Sequence, residues 1–399
     1  MLTACMFTPN LSLGGAERWV VSLIRHSDPS RLRWTGVVVS GWGGLHREIC
    51  EELTDTCGCP IYSEPMIKQM ARKSQPTPQA LSSECEPYIR RCSDIKQAVA
   101  QASRTADVMV AWGSPKYAEY LQQPFVPRHM VLVSHSSHHT PQRINQPGHC
   151  RLSLAAVSAA ACRPFIPGDG VEPVKVIYNG VQPDRLQRRR SRDDMRRQWQ
   201  IPNDAHVVGY VGRISGEKNP MAAVQAVRAL QSVGQHWVAV YHGSRTVGQQ
   251  RLSEADERLY QWALDNPQCV RFCEPTQAIG DVYAGLDALM LASHSEAFSL
   301  TLLEAMYCGV PVIATPVGSV PELTTAYGEL VLQVPLQPLD QHLIDACQQA
   351  VSVFNSDCVV RAQGLVQDRF TAMRMAADWA DYLETLVQPR KRRPLVLDL

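Results

Sequence analysis

"LASHSEAFSLTLLEAMYCGVPVIAT" occupies Leu291–Thr315. Leu291 lies in an apolar strand, "SHSEAF" is a loop, and Ser299 is placed to cap a helix that runs to Cys308, with Gly309 as its terminator. "PVIAT" then resumes as a further apolar strand. Strand, helix and strand in this order form the repeating unit of a parallel α/β sheet. Two carboxylates, Glu296 and Glu304, interrupt an otherwise apolar stretch. Acidic side chains seldom occupy such a setting without a partner. Glu304 falls about one and a half turns into a helix apolar nearly all round, with Leu300, Thr301, Tyr307 and Cys308 as its helical neighbours. Either a hydroxyl pair on a ligand or a protein amide or arginine must supply its hydrogen bonds.

The same alternation extends in both directions. Upstream, strands are expected at 2–7, 34–41, 107–112, 129–135, 154–158 and 174–180. Between them lie helical stretches such as "AERWVVSLIRHS" and "CSDIKQAVAQASRTA". A second series is expected at 206–213, 236–243, 269–273, 287–293, 311–315 and 328–334. Segment 64–88, rich in Pro, Ser and Gln, reads as an irregular surface insertion. Two successive series in 399 residues predict two Rossmann-like halves joined near residue 182. The expected division is 1–181 and 182–370, with a closing helix over 371–388 packed back on the first half and a basic tail at 389–399.

Composition narrows the class. With 45% hydrophobic and 19% charged residues and a net charge of +1, the chain is globular and gives no general argument for nucleic acid. Its 13 cysteines follow no disulfide or zinc framework, which predicts reduced thiols. No apolar run approaches the ~20 residues of a membrane span, and no leader pattern opens the chain, so a cytoplasmic location is expected. "RLQRRRSRDDMRRQW" (185–199) is expected to form a helix exposing Arg188, Arg189, Arg192 and Arg196. That face and "PRKRRP" (389–394) are either solvated surface or a peripheral membrane contact. Neither has the interleaved aromatics of a nucleic-acid binder.

In open parallel sheets, ligands bind where strands end and helices begin. "GYVGRISGEKNP" (209–220) puts Arg213 and Lys218 at such an end, either as a diphosphate clamp or as two solvated charges. "PNLSLGGAERWV" (9–20) has Gly14 and Gly15 before the first helix, where backbone amides can face an anion. "VLVSHSSHHT" (131–140) ends a strand at His135. No D-x-D sequence, a common carrier of a metal–diphosphate, occurs in the chain.

Taken in order, these motifs resemble the family-four retaining glycosyltransferases, which have the GT-B fold of two Rossmann-like domains facing across a cleft. The carriers are E-x7-E at Glu296 and Glu304, followed by "EAMYCGVPVIATPVGSVPEL", and R-x4-K at Arg213 and Lys218. "NGV" at Asn179–Val181, "GGAE" at Gly14–Glu17, His135 and "VSAAACRPF" (157–165) complete the array. The resemblance implies a retaining, metal-independent transfer of a hexosyl group from a nucleotide-diphospho-sugar, with no resident cofactor. By the same resemblance Glu304 holds the ribose hydroxyls and Glu296 faces the donor sugar. Amides of Phe298, Ser299 and Leu300 lie near sugar and phosphate, and Arg213 and Lys218 hold the diphosphate. His135 and the Gly14–Gly15 loop reach across from the first domain. Two positions depart from the pattern. Ala297 replaces the glycine after the first glutamate, and "YHGSRTVG" (241–248) keeps only Gly243 of the usual GxGP loop. A catalytically silent sugar-nucleotide-binding subunit and a sugar-nucleotide epimerase are the competing readings.

Overall fold

The computed structural model describes residues 1–12, 14–40, 44–63, 84–113, 126–137, 139–148, 150–243, 254–273, 276, 278–335, 340–353 and 356–387. Two parallel sheets organise them. The first half contributes β1 (Leu2–Thr8), β2 (Leu32–Val39), β3 (Ile61–Ser63), β4 (Ile89–Arg91), β5 (Val108–Trp112), β6 (His129–Ser134), β8 (Arg151–Ala156) and β10 (Lys175–Val176), in spatial order β10-β8-β6-β5-β1-β2-β3-β4. A small ribbon pairs β7 (Gln142–Ile144) with β9 (Phe165–Pro167). The second half contributes β11 (His206–Val211), β12 (Trp237–His242), β13 (Val270–Cys273), β14 (Ala288–Leu291), β15 (Val312–Ala314) and β16 (Leu332–Gln333), in order β13-β12-β11-β14-β15-β16. Central strands are apolar on both faces: Val37, Val38, Val207 and Val208 are all fully buried. Helices cover both sides, as parallel sheets require.

Each sheet reverses its strand order beside its first strand. β1 lies between β2 and β5, and β11 lies between β12 and β14. The crevices at the carboxyl ends of β1/β5 and β11/β14 are therefore the places a doubly wound fold offers to a ligand. The loops carrying Gly14, Arg213 and Glu296 all leave strands at these ends.

The chain crosses between the halves twice at one point. Val181 N–H donates to Phe370 O (2.8 Å) and Ala372 N–H to Val181 O (2.7 Å). A Cβ on Gly180 would lie 2.1 Å from Thr371 O, so only glycine permits this crossing. The closing helix Ala372–Val387 packs Trp379 edge-on against Trp19 of the first helix, Gly15–His26. Its Asp381 and Glu384 pair with Arg31 at 2.8 Å each.

Several expectations are corrected. β3, β4 and the β7–β9 ribbon have no counterpart in the sequence reading, because three-residue strands carry too little pattern. Of segment 64–88, residues 64–83 lie outside the described set. Cys85 is fully buried and Glu86–Tyr88 form a short turn of helix leading into β4, so this end is part of the fold. The 185–199 helix spans only Arg192–Gln198, capped by Ser191 and Asp194. Arg188, Arg189 and Arg192 are exposed as expected, and Arg196 is not. Arg196 is 2% exposed and donates to Asp287 Oδ2 at 2.6 Å and Ala205 O at 2.9 Å. Arg192 also pairs with Asp287, and Arg188 donates to the carbonyl of Cys308. The basic tail lies outside the described residues, among which no helix is long and apolar enough to cross a membrane.

Candidate active site

The β11 loop turns sharply at Gly212, whose φ of +133° suits glycine alone. Arg213 follows, half-buried, and its side chain has no hydrogen-bond or ion-pair partner among the described residues. A Cβ on Gly243 would lie 1.9 Å from Gly212 O, which gives that surviving glycine a packing role. After a short turn, Lys218 Nζ meets Glu296 Oε1 at 2.8 Å and lies 3.4 Å from Ser295 O.

The β14 loop is held from both halves. Ser293 Oγ donates to Glu296 Oε1 at 2.9 Å, leaving the carboxylate side chain 11% exposed. Ser137 and Ser295 hydroxyls meet at 3.0 Å, Ser158 Oγ donates to Ala297 O at 2.9 Å, and Asn179 Nδ2 donates to Phe298 O at 3.3 Å. Gly318, at φ +60°, leaves 2.7 Å between a hypothetical Cβ and Glu296 Cβ, so the loop is braced from behind as well. Ser299 caps the helix Leu300–Tyr307 through Leu302 N–H at 3.3 Å, and Gly309 ends it at φ +67°. The amides of Phe298, Ser299 and Leu300 find no acceptor among the described residues, so the helix start retains free donors.

Glu304 projects from that helix toward Tyr283, whose hydroxyl donates to Oε2 at 3.0 Å. Burial raises its pKa, and the positive charge of Arg185 acts most strongly against that rise. Among the described residues, the Tyr283 contact is the one hydrogen bond to the carboxylate, and its other oxygen has none.

From the first half, the Gly14 loop leads into the Gly15–His26 helix. A Cβ on Gly14 would lie 2.3 Å from Glu17 Oε2, whereas one on Gly15 would meet nothing within 4 Å. Gly14 leaves room for the carboxylate of the buried Glu17, whose pKa is raised by burial and drawn down in part by Arg213. His135 packs between Trp19 (4.5 Å) and Trp112 (5.6 Å), with Nε2 buried and unpartnered among the described residues. Burial pushes its pKa down to about 3, so the ring is neutral at pH 7.

The structure therefore joins Glu296 directly to Lys218, sets Arg213 in electrostatic reach of Glu17 across the cleft, and holds Glu304 one helix away. Among the described residues, His135 makes no hydrogen bond or ion pair to these side chains; its neighbour Ser137 does reach the loop. Tyr283, Ser293 and Arg185 were not singled out from the sequence. Tyr283 lies in "DVYAGLD" and Arg185 in a basic run, and neither carries a local signal of its role. Among the described residues, no group of three or more His, Cys, Asp or Glu could hold a metal ion.

Two Rossmann-like halves with a cleft at both strand-order reversals define the GT-B class. HepE of Anabaena, solved with UDP-glucose, superposes with a TM-score of 0.72 at 19% identity, covering 96% of this chain and all of that one. WaaG, described as a glycosyltransferase involved in lipopolysaccharide biosynthesis, gives 0.64 at 14% identity, covering 96% and 99%. Residues 191–342 match the family model for glycosyl transferases group 1. A D-inositol 3-phosphate glycosyltransferase of Corynebacterium jeikeium (strain K411) is 34% identical over 157 residues, 37% of this chain and 36% of that protein. The lipopolysaccharide core biosynthesis mannosyltransferase LpsB of Rhizobium meliloti (strain 1021) is 31% identical over 158 residues, 39% and 44% of the two chains. The chain spans less than half the length of these curated relatives.

Proposed function

We propose that this protein is a retaining hexosyltransferase that uses a uridine-diphospho-sugar and a hydroxyl acceptor. The observation that carries the reading is the convergence of Glu296, Lys218, Arg213 and the Glu304 carboxylate at one sheet's strand-order reversal, with incomplete protein partners. Uridine is favoured because HepE, of the same fold, is solved with UDP and with UDP-glucose.

In this reading Glu304 accepts both hydroxyls of the ribose diol. The diphosphate lies against Arg213, Lys218 and the free amides at 298–300, which neutralise the leaving group without a divalent metal. Lys218 is held by Glu296 in the free protein and turns partly to phosphate when donor arrives. Glu296 then faces the anomeric carbon, which gains positive character as its bond to the β-phosphate oxygen breaks. The acceptor oxygen bonds to that carbon on the leaving-group face, and the acceptor proton passes to the departing diphosphate. No covalent enzyme intermediate is needed. The neutral His135 is a rigid wall under the first helix, and Ser137 ties that wall to the donor loop.

The test is UDP release from a panel of UDP-hexoses in EDTA with a library of hydroxyl acceptors, the product anomer being read by NMR. Release with retained configuration, lost in Arg213→Ala, is the expected result. Tight UDP binding with no turnover on any pair would instead identify a silent binding subunit.

A further inference from the structure

The "VPEL" stretch at 320–323 has no part in the donor reading, yet its glutamate reaches the other half of the molecule. Glu322 lies in the first turn of the helix Val320–Tyr327 and is half-buried. Its Oε2 accepts Ala159 N–H at 2.8 Å. Ala159 leads into the short turn Ala160–Cys162, which follows β8 of the first half. Ser158, one residue earlier and fully buried, accepts Ala161 N–H at 3.1 Å and donates to Ala297 O at 2.9 Å. One turn of the first half therefore grips the second half at two points. The first is the carbonyl next to Glu296, and the other is the Glu322 carboxylate.

These two points are themselves packed together. Gly318, just before the Glu322 helix, lies so close to the donor loop that a Cβ would be 2.7 Å from Glu296 O and 2.8 Å from Ala297 O. The loop is thus enclosed by the Ser158 turn on one side and by the lead-in to the Glu322 helix on the other. Ser137 meets Ser295, and Asn179 holds Phe298 O, so the first half fixes the backbone before and after Glu296. The contacts of Ser137, Ser158 and Asn179 are neutral. That of Glu322 is charge-assisted, and such bonds are roughly twice as strong as neutral ones.

We propose that Glu322 is a positioning residue for transfer: by holding the Ser158 turn of the first half against the donor loop, it sets Glu296 at the sugar when the two halves meet. The inference rests on the proposed role of Glu296 and adds the residue that couples it to the opposite half. Glu322 acts through Ser158 and the Ala297 carbonyl. A purely structural role would lower stability and leave the turnover of folded molecules alone. A positioning role separates kcat from nucleotide affinity, because in the donor reading Glu304, Arg213 and Lys218 hold the nucleotide.

The experiment measures amide hydrogen exchange over 157–162 and 293–299, UDP affinity by calorimetry, and UDP release from the UDP-hexose panel with the hydroxyl acceptors. Wild type is compared with Glu322→Ala, Glu322→Gln, Ser158→Ala and, as control, Glu329→Ala, an exposed carboxylate just beyond the same helix. Glu322→Ala is expected to speed exchange in both stretches and to lower kcat about tenfold or more, with UDP affinity within about threefold of wild type. Glutamine keeps an oxygen for Ala159 N–H and is expected to recover most of both. Ser158→Ala leaves Glu322 in place and is expected to show the same loss of kcat, which decides the matter if Glu322→Ala folds poorly. Wild-type kcat in folded Glu322→Ala or Ser158→Ala would overturn the proposal. So would faster exchange confined to 157–162, or a fall in UDP affinity as large as that in kcat. No turnover by the wild type on any pair would remove the transferase reading instead, while the exchange rates would still show whether Glu322 holds the donor loop.

Discussion

Two groups of charges in the second half of the chain look equally anomalous in sequence and are used in opposite ways. The arginines at 192 and 196 and the acid–base set at 213–304 both put full charges next to apolar sequence. Arg196 and Asp287 are 3% and 5% exposed at their side chains, and Asp287 also accepts Val207 N–H at 2.7 Å. That cluster is closed within the protein. At the strand-order reversal, Arg213 has no side-chain partner among the described residues, Glu304 has one donor, and Lys218 shares a single carboxylate oxygen. A charge matched inside the protein stabilises or specifies the fold, whereas one held short of partners is available to a ligand.

The contrast predicts which property each substitution disturbs. Asp287→Ala should have the largest effect, leaving Arg196 buried and unpaired at a cost of roughly 3–5 kcal/mol in denaturant unfolding. Nucleotide affinity of the molecules that remain folded should be unchanged. Arg213→Ala should do the reverse, lowering kcat/KM on the order of a hundredfold while the melting temperature barely moves. A large loss of stability in Arg213→Ala would erase the distinction between the two groups.

His135 supplies a smaller, pH-dependent check. Its pKa falls from 6.5 to about 3 on folding, so the unfolded chain takes up a proton that the folded one refuses. The stability this confers is complete above pH 6.5 and declines as pH falls toward 3, by at most ~1.4 kcal/mol per pH unit. His135→Phe should flatten the stability profile in that window and leave it unaltered above. An unchanged acid slope would mean that His135 is not buried as a neutral ring.

Sequence periodicity was sufficient for the two sheets because their central strands, such as Val37–Val39 and Val207–Val208, are buried on both faces and so read as continuous apolar runs. Short edge strands such as Ile89–Arg91 gave no such run. Glu296, Lys218 and Arg213 were legible because their motifs lie on loops that the strand order places at the crevices. Tyr283 was not, since it acts through a contact with Glu304, which lies on another helix. Arg196 was misread for the same reason: it meets Asp287 across 91 residues, and no local pattern encodes that burial.

The most direct test of the central claim is the thermal shift of the EDTA-treated protein with UDP, GDP, ADP and dTDP, comparing wild type with Glu304→Ala. UDP at about a hundred times its dissociation constant should add roughly 2.7 kcal/mol to the wild type and nothing comparable to the variant. Equal stabilisation of both proteins by UDP, or none of the wild type by any nucleotide, would contradict the assignment of Glu304 and its neighbouring charges to the donor.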